Sequence, residues 1–299
     1  MINFMERNPD LRRLFQSAEI TLRQVQDWTA RIEAQYQPLG KDLPTNHAWR
    51  MSGLQHAREG ADEIIRKAKL LGLQGTEVDL ISFVLFCHDI GRLVQAGRNV
   101  RKEPEPGWLH GTDSIDVITS VLDDIDSSSP LWQALLLAIQ HHSDSKPVTQ
   151  ETVNGNQVAW ALATLLRDFD KKLRFKEAES YTQDQKRKHR EIEANWPQQR
   201  QNDPIWGEEK EAIVPAELLE SFERHQLLDR NACQSYEAYM LQYLAWVFDV
   251  VNPEVLTLIV QERGPAIVLQ YLQHQLNVNQ PDQYERISQV MRDFFSSHR

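Results

Sequence analysis

Six of the ten histidines fall between positions 47 and 142, at 47, 56, 88, 110, 141 and 142, and one of them is joined to a carboxylate as His88-Asp89. The apolar run LISFVLFC, residues 80–87, ends abruptly in that pair, and Ile90, Gly91 and Arg92 follow. Burying an imidazole and a carboxylate at the end of an apolar stripe is costly unless both find partners, and a metal ion suits both. Taken in order, His56, His88-Asp89, His110, His141-His142 and Asp168 each sit in or beside a different predicted helix. Helices packed into a bundle can aim such residues at one point. Imidazole and carboxylate donors without thiolates suit Fe, Mn, Co, Ni or Zn in a hydrolytic or redox site, more than a structural zinc. Asp89, with two oxygens, is able to bridge two ions about 3.5–4 Å apart, the separation at which a metal pair clamps an in-line phosphoryl displacement.

The elements that must carry these residues are helices. Apolar positions recur at i, i+3 and i+4 almost throughout, and glycine is scarce, so the fold class is all-α. Leu54, Ala57, Ala61, Ile64, Ile65, Ala68 and Leu71 form the stripe of a helix over 53–71 that Gly72 stops. A second helix, about 76–88, starts with Thr76 as N-cap. Thr112 caps a third, and Ser129-Pro130 opens a fourth that runs into His141 and His142. A fifth, about 156–170, leads to Asp168. Composition then turns polar, and apolar periodicity returns at 235–251. The expected organisation is an N-terminal helical extension (1–46), a metal-binding core (47–175), a charged helix and loop (176–210), and C-terminal helices packing on the core (211–299).

Bulk properties narrow the function classes. A net charge of -10, from 33 Lys plus Arg against 43 Asp plus Glu, argues against an extended nucleic-acid surface or an anionic membrane surface as partner. Cys87 and Cys233 are the two cysteines, too few and too far apart for a disulfide framework or thiolate zinc. With no membrane-length apolar run and no basic leader before an apolar core, the expectation is a cytoplasmic protein. His47, His189, His225, His274 and His298 read as surface or packing residues, and KRKHR (186–190) as a solvated helix face.

Five stretches in order, HAREGADEI (56–64), FCHDIGR (86–92), HGTDSIDVI (110–118), AIQHHSD (138–144) and LLRDFDKK (165–172), resemble the HD-domain superfamily of metal-dependent phosphohydrolases. The resemblance covers roughly residues 47–175. It implies an HD-like helical bundle in which His56, His88, Asp89 and Asp168 hold one metal, and Asp89, His110 and His142 a second. Asp168 is preferred to Asp170 because it stands i+3 from Leu165 and because the first aspartate of such a pair is usually the ligand. His142 is preferred to His141 by its i+3 spacing from Ile139, which leaves His141 as a neighbouring or substrate group.

The implied reaction is attack of a metal-bound hydroxide on the phosphorus of a nucleotide or another small phosphate ester, with one or two divalent transition ions as cofactor. Arg92, where related families often place a lysine, is the first candidate to receive phosphate, followed by Arg98, Arg101 and Lys102. SDSKPVT stands where cyclic-dinucleotide phosphodiesterases carry a GYP extension, which disfavours that activity. Two other functions share the ligand set: an HD-like mixed-valence di-iron oxygenase, and a metal-binding regulatory module without catalysis. The ligands alone do not separate them, and oligomeric state is open.

Overall fold

Helical apolar spacing leaves little material for strands, and a computed structural model of the protein is all-α, with no strand among the described residues. The structure describes residues 2–39, 48–100, 110–142, 144, 146–183, 214–229, 232–233, 235–276 and 280–298. The chain divides into two compact units, Met1–Asp170 and Lys171–Arg299.

The first unit contains α1 (Phe4–Arg7), α2 (Pro9–Ser17), α3 (Leu22–Glu33), α4 (Tyr36–Leu39), α5 (Ala48–Leu71), α6 (Thr76–Cys87), α7 (Gly91–Val100), α8 (His110–Val121), α9 (Pro130–His141) and the start of α10 (Gln157–Gln183). Local chemistry explains several starts. Thr21 and Gln24 form a capping box at α3. At α9 the Ser129 hydroxyl accepts from the Trp132 amide and Pro130 fills the first position, as its spacing predicts.

Two starts differ from expectation. Gly75, at φ 51°, is the N-cap of α6, and Thr76 is already helical; a left-handed turn favours glycine over threonine there. α8 begins at His110 rather than after Thr112, so the histidine belongs to the first helical turn.

α6 is the axis of this unit. Leu80, Ile81, Phe83, Val84, Leu85, Phe86 and Cys87 are at most 2 % exposed, and α5, α3, α2 and α9 pack around the helix. Each such aliphatic or aromatic side chain contributes about 1.5–3 kcal/mol on burial. The turn at His88 and Asp89 therefore hangs from a rigid anchor. Trp28 of α3 meets Trp132 of α9 edge-on at 5.1 Å and Phe83 of α6 at 6.0 Å, so the N-terminal helices share one core with the helices that carry the histidines. Across the turn after α6, Thr76–Arg98 is long and apolar enough to span a membrane, and 83 % of that apolar window is buried within the protein. Such enclosure is what a core helix requires.

The second unit contains the remainder of α10 with α11 (Ala216–Glu223), α12 (Tyr236–Ala245), a 3₁₀ turn (Trp246–Asp249), α13 (Pro253–Gln261), α14 (Gly264–Leu276) and α15 (Pro281–Ser297). α12 is buried on every face and packs on α14. Lys171 pairs with Asp249, and Lys172 with Glu262 at 2.7 Å. His225, His274 and His298 belong to this unit. The residues 184–213, with His189 and the KRKHR run, lie outside the described residues, as does His47.

Candidate metal centre

Two groups of side chains in the first unit converge closely enough to hold a metal ion. His56 on α5, His88 and Asp89 after α6, and Asp170 on α10 each bring one donor atom within 4.8 Å of the others. Asp89, His110 and His142 do the same. Asp89 is common to both. Its Oδ2 lies 3.9 Å from His56 Nε2 and 3.8 Å from His88 Nε2, while Oδ1 lies 3.3 Å from Nε2 of both His110 and His142. Asp170 Oδ1 completes the first group at 3.6 Å from His56 and 3.8 Å from His88.

The convergence depends on backbones that approach closely beside the ligands. A Cβ on Gly91 would lie 2.2 Å from the His110 carbonyl oxygen and 2.5 Å from the Ser114 amide. One on Gly111 would lie 2.4 Å from the Gln140 oxygen. Glycine at these positions lets α7 reach α8, and α8 reach the end of α9. Ser114 stitches the contact: the Gly91 amide donates to its Oγ at 2.9 Å, and Oγ donates to the His88 carbonyl at 2.7 Å.

Hydrogen bonds fix two of the imidazoles. His88 Nδ1 is 2.6 Å from the Leu85 carbonyl oxygen, and His142 Nδ1 is 2.6 Å from that of Ile139. A carbonyl only accepts, so each Nδ1 carries a proton and each ring turns its Nε2 into the site. Burial lowers the His142 pKa against the pull of Asp89. Burial, followed by the charge of Arg92, brings His110 down to about 3. Burial alone would raise Asp89, but Arg92, His88 and the His110 and His142 hydrogen bonds outweigh it and hold the carboxyl well below the ordinary range. At neutral pH the site therefore combines an ionised Asp89 with neutral His110 and His142.

This arrangement tests whether a metal suits the site. Nε2 of His110 and of His142 converge on Asp89 Oδ1 and on each other at 3.3 Å, and among the described residues His88 Nε2, fully buried, has no hydrogen-bond partner. Buried imidazole nitrogens converging on a carboxylate are costly unless each finds a partner, and a cation among them partners them all. Ligand bonds of about 2.0–2.2 Å separate neighbouring donors of one ion by about 3–3.5 Å. The His110, His142 and Asp89 donors lie 3.3 Å from one another, which matches that size, and the other group is a few tenths wider. Nitrogen and carboxylate donors without thiolate suit a divalent transition ion, whose identity and number the donors leave open.

The structure brings together His56, His88, Asp89, His110 and His142 of the expected set, with Asp170 where Asp168 was expected. Two residues turn a helix by about 200°, so the two aspartates occupy different faces of α10. The i+3 spacing from Leu165 does not discriminate, because Leu165 and Leu166 are equally buried and Asp170 stands i+4 from Leu166. Asp168 is fully buried but is not among the converging donors.

Arg92 lies beside the centre, its Nε 2.8 Å from Asp89 Oδ2. Arg98 donates to Asp113 at 2.9 Å and thereby braces α7 on α8. His141 pairs through Nδ1 with Asp144 at 2.9 Å. Arg101 and Lys102 lie outside the described residues. Sequence reasoning missed Gly111 and Ser114, which act through backbone contacts that no spacing rule registers. Comparison with family models, with curated proteins and with solved structures gives no match for this chain.

Proposed function

We propose that the protein is a metal-dependent phosphohydrolase of the HD type, acting on a nucleotide or another small phosphate ester. The observation that carries this reading is the division of Asp89 between two donor groups, one oxygen to each. His56, His88, Asp89 and Asp170 would hold one ion, and Asp89, His110 and His142 another. When bound, the ions supply Lewis acidity toward a phosphoryl oxygen and make a water ligand more acidic.

The chain's own groups supply the rest. Arg92, partly open to solvent beside Asp89, offers the fixed positive charge that a phosphoryl group needs on arrival. The Nδ1 bonds of His88 and His142 hold both rings with Nε2 turned into the site, so the rings need no reorientation when a cation is present. Apolar walls from α6 and α9 keep bulk water from the buried side, which strengthens every charge interaction in the site.

The test is element-resolved metal content of protein purified without chelator, followed by anaerobic hydrolysis of a generic phosphate ester and a nucleotide panel with added Mn²⁺. Metal with anaerobic turnover supports the proposal. Two irons with strictly oxygen-dependent chemistry would replace it with the oxygenase, and metal without turnover on any ester would favour the regulatory module.

A further inference from the structure

We propose that Arg167 is a positioning residue for the ligand His142, holding the C-terminal end of α9 against the helix that carries Asp170. The inference rests on the metal-centre reading and adds a residue that is not a ligand.

Arg167 is a charged side chain only 8 % exposed, so its guanidinium must be occupied in the interior. Its Nη1 donates to the His142 carbonyl oxygen at 3.4 Å and to the Asp144 carbonyl oxygen. Helices end with carbonyls that lack intrahelical partners. At the end of α9 the Ile139 carbonyl is taken by His142 Nδ1, and the His141 carbonyl by the Asp144 amide at 3.3 Å. Arg167 serves those of His142 and Asp144. A cation here also meets the negative end of the helix dipole.

The consequence reaches the centre through backbone. His142 is aimed by a bond to Ile139, one turn back, so its direction is only as fixed as that last turn. Arg167 stands three residues before Asp170 on α10, so the clamp joins the helix of a ligand in one donor group to the helix end of a ligand in the other. Asp89 links the two groups through a side chain. Arg167 links them through main chain.

The experiment compares wild type, Arg167→Met and Arg167→Lys by calorimetric titration with Mn²⁺ and by the long-range ¹H–¹⁵N signals of the histidine rings in chelator. Arg167→Met should lose at least tenfold in one class of Mn²⁺ site, leave any other class within twofold, and lose the Nδ1–H signature of His142. Arg167→Lys, which keeps one cationic donor, should recover part of both. A purely structural role would lower the melting temperature of Arg167→Met while titration and His142 signal stay as in wild type, and that result overturns the proposal. If wild type binds no Mn²⁺, the metal-centre reading falls and the His142 signal decides alone: unchanged in Arg167→Met, it overturns the role of Arg167, and altered, it sustains the positioning. Should Arg167→Met not fold, the same comparison is made with Arg167→Lys, whose wild-type titration and signal would count against the proposal.

Discussion

Replacing Gly91 or Gly111 with alanine should damage the metal centre more than the fold. A Cβ on Gly91 would stand 2.2 Å from the His110 carbonyl oxygen, and one on Gly111 2.4 Å from that of Gln140, where ordinary contact is 3.4–4 Å. The obstacles are backbone, so relief requires helices to move by about 1 Å rather than a side chain to turn. That movement separates His110 from Asp89 in the first variant and from His142 in the second, at a site whose donors are 3.3 Å apart. Overpacking of this kind costs about 1–3 kcal/mol, or a few degrees of melting temperature at about 2–4 °C per kcal/mol. Loss of ligand orientation should cost about 10–100-fold in metal affinity. Gly155→Ala is the control: φ is +74°, so alanine is strained there, but nothing lies within 4 Å of its Cβ. It should cost about 1–2 kcal/mol of backbone strain and leave metal binding unchanged. The assay is Mn²⁺ titration of all three variants beside thermal melts. Wild-type affinity in both Gly91→Ala and Gly111→Ala would refute the reasoning, and equal metal loss in Gly155→Ala would show that general destabilisation suffices.

Three further outcomes follow from the same geometry. Asp170→Asn should lower metal content while Asp168→Asn leaves it at the wild-type level, measured by elemental analysis of purified protein; the reverse result would return the ligand role to Asp168. Asp89→Asn should remove metal from both groups at once, and His274→Ala from neither, so normal metal content in the Asp89 variant would sink the bridging assignment. In chelator, stability should fall with acid: His110 titrates at about 3 when folded and near 6.5 when unfolded, and His142 is shifted the same way. The unfolded chain therefore binds more protons between those values, which makes the slope of stability against pH positive across that window. The depressed Asp89 adds to the loss as pH falls below its ordinary carboxyl range. Urea midpoints from pH 7.5 to 4.5 should drop in wild type and drop less in His110→Gln, and equal slopes in the two proteins would contradict the burial of a neutral His110.

Much of the centre was legible because metal chemistry restricts residue types. His56, His88, Asp89, His110 and His142 stand out by type and order, and each belongs to a helix or turn that the apolar periodicity also marks. The fold class was legible for the same reason: helical spacing and few glycines leave no competing pattern. The convergence of Asp170 rather than Asp168 on the histidines was not legible, because periodicity assigns a face only when the other face is polar. α10 is buried on all sides through this stretch, with Ala161, Leu162, Ala163, Leu165, Leu166 and Phe169 at most 2 % exposed. The roles of Gly91 and Gly111 were hidden for a related reason, since a glycine needed for close approach looks in sequence like any other glycine.

The electrostatics explain why these candidate ligands need so much support. Burial of neutral histidines around an ionised carboxylate is unfavourable unless each ring is oriented and each charge is answered. Leu85 and Ile139 answer the Nδ1 protons with carbonyl oxygens, Arg92 answers Asp89 directly, and Ser114 ties the His88 carbonyl to the start of α7. These contacts orient the rings and balance Asp89, but among the described residues they leave the buried His88 Nε2 without a hydrogen-bond partner. The Nε2 atoms gathered around Asp89 are the part of the interior that a divalent ion would satisfy, and they lie where α7, α8 and α9 are drawn together by two glycines. The candidate ligands and the close packing around them are thus one device, in which the backbone sets the spacing and the side chains set the chemistry.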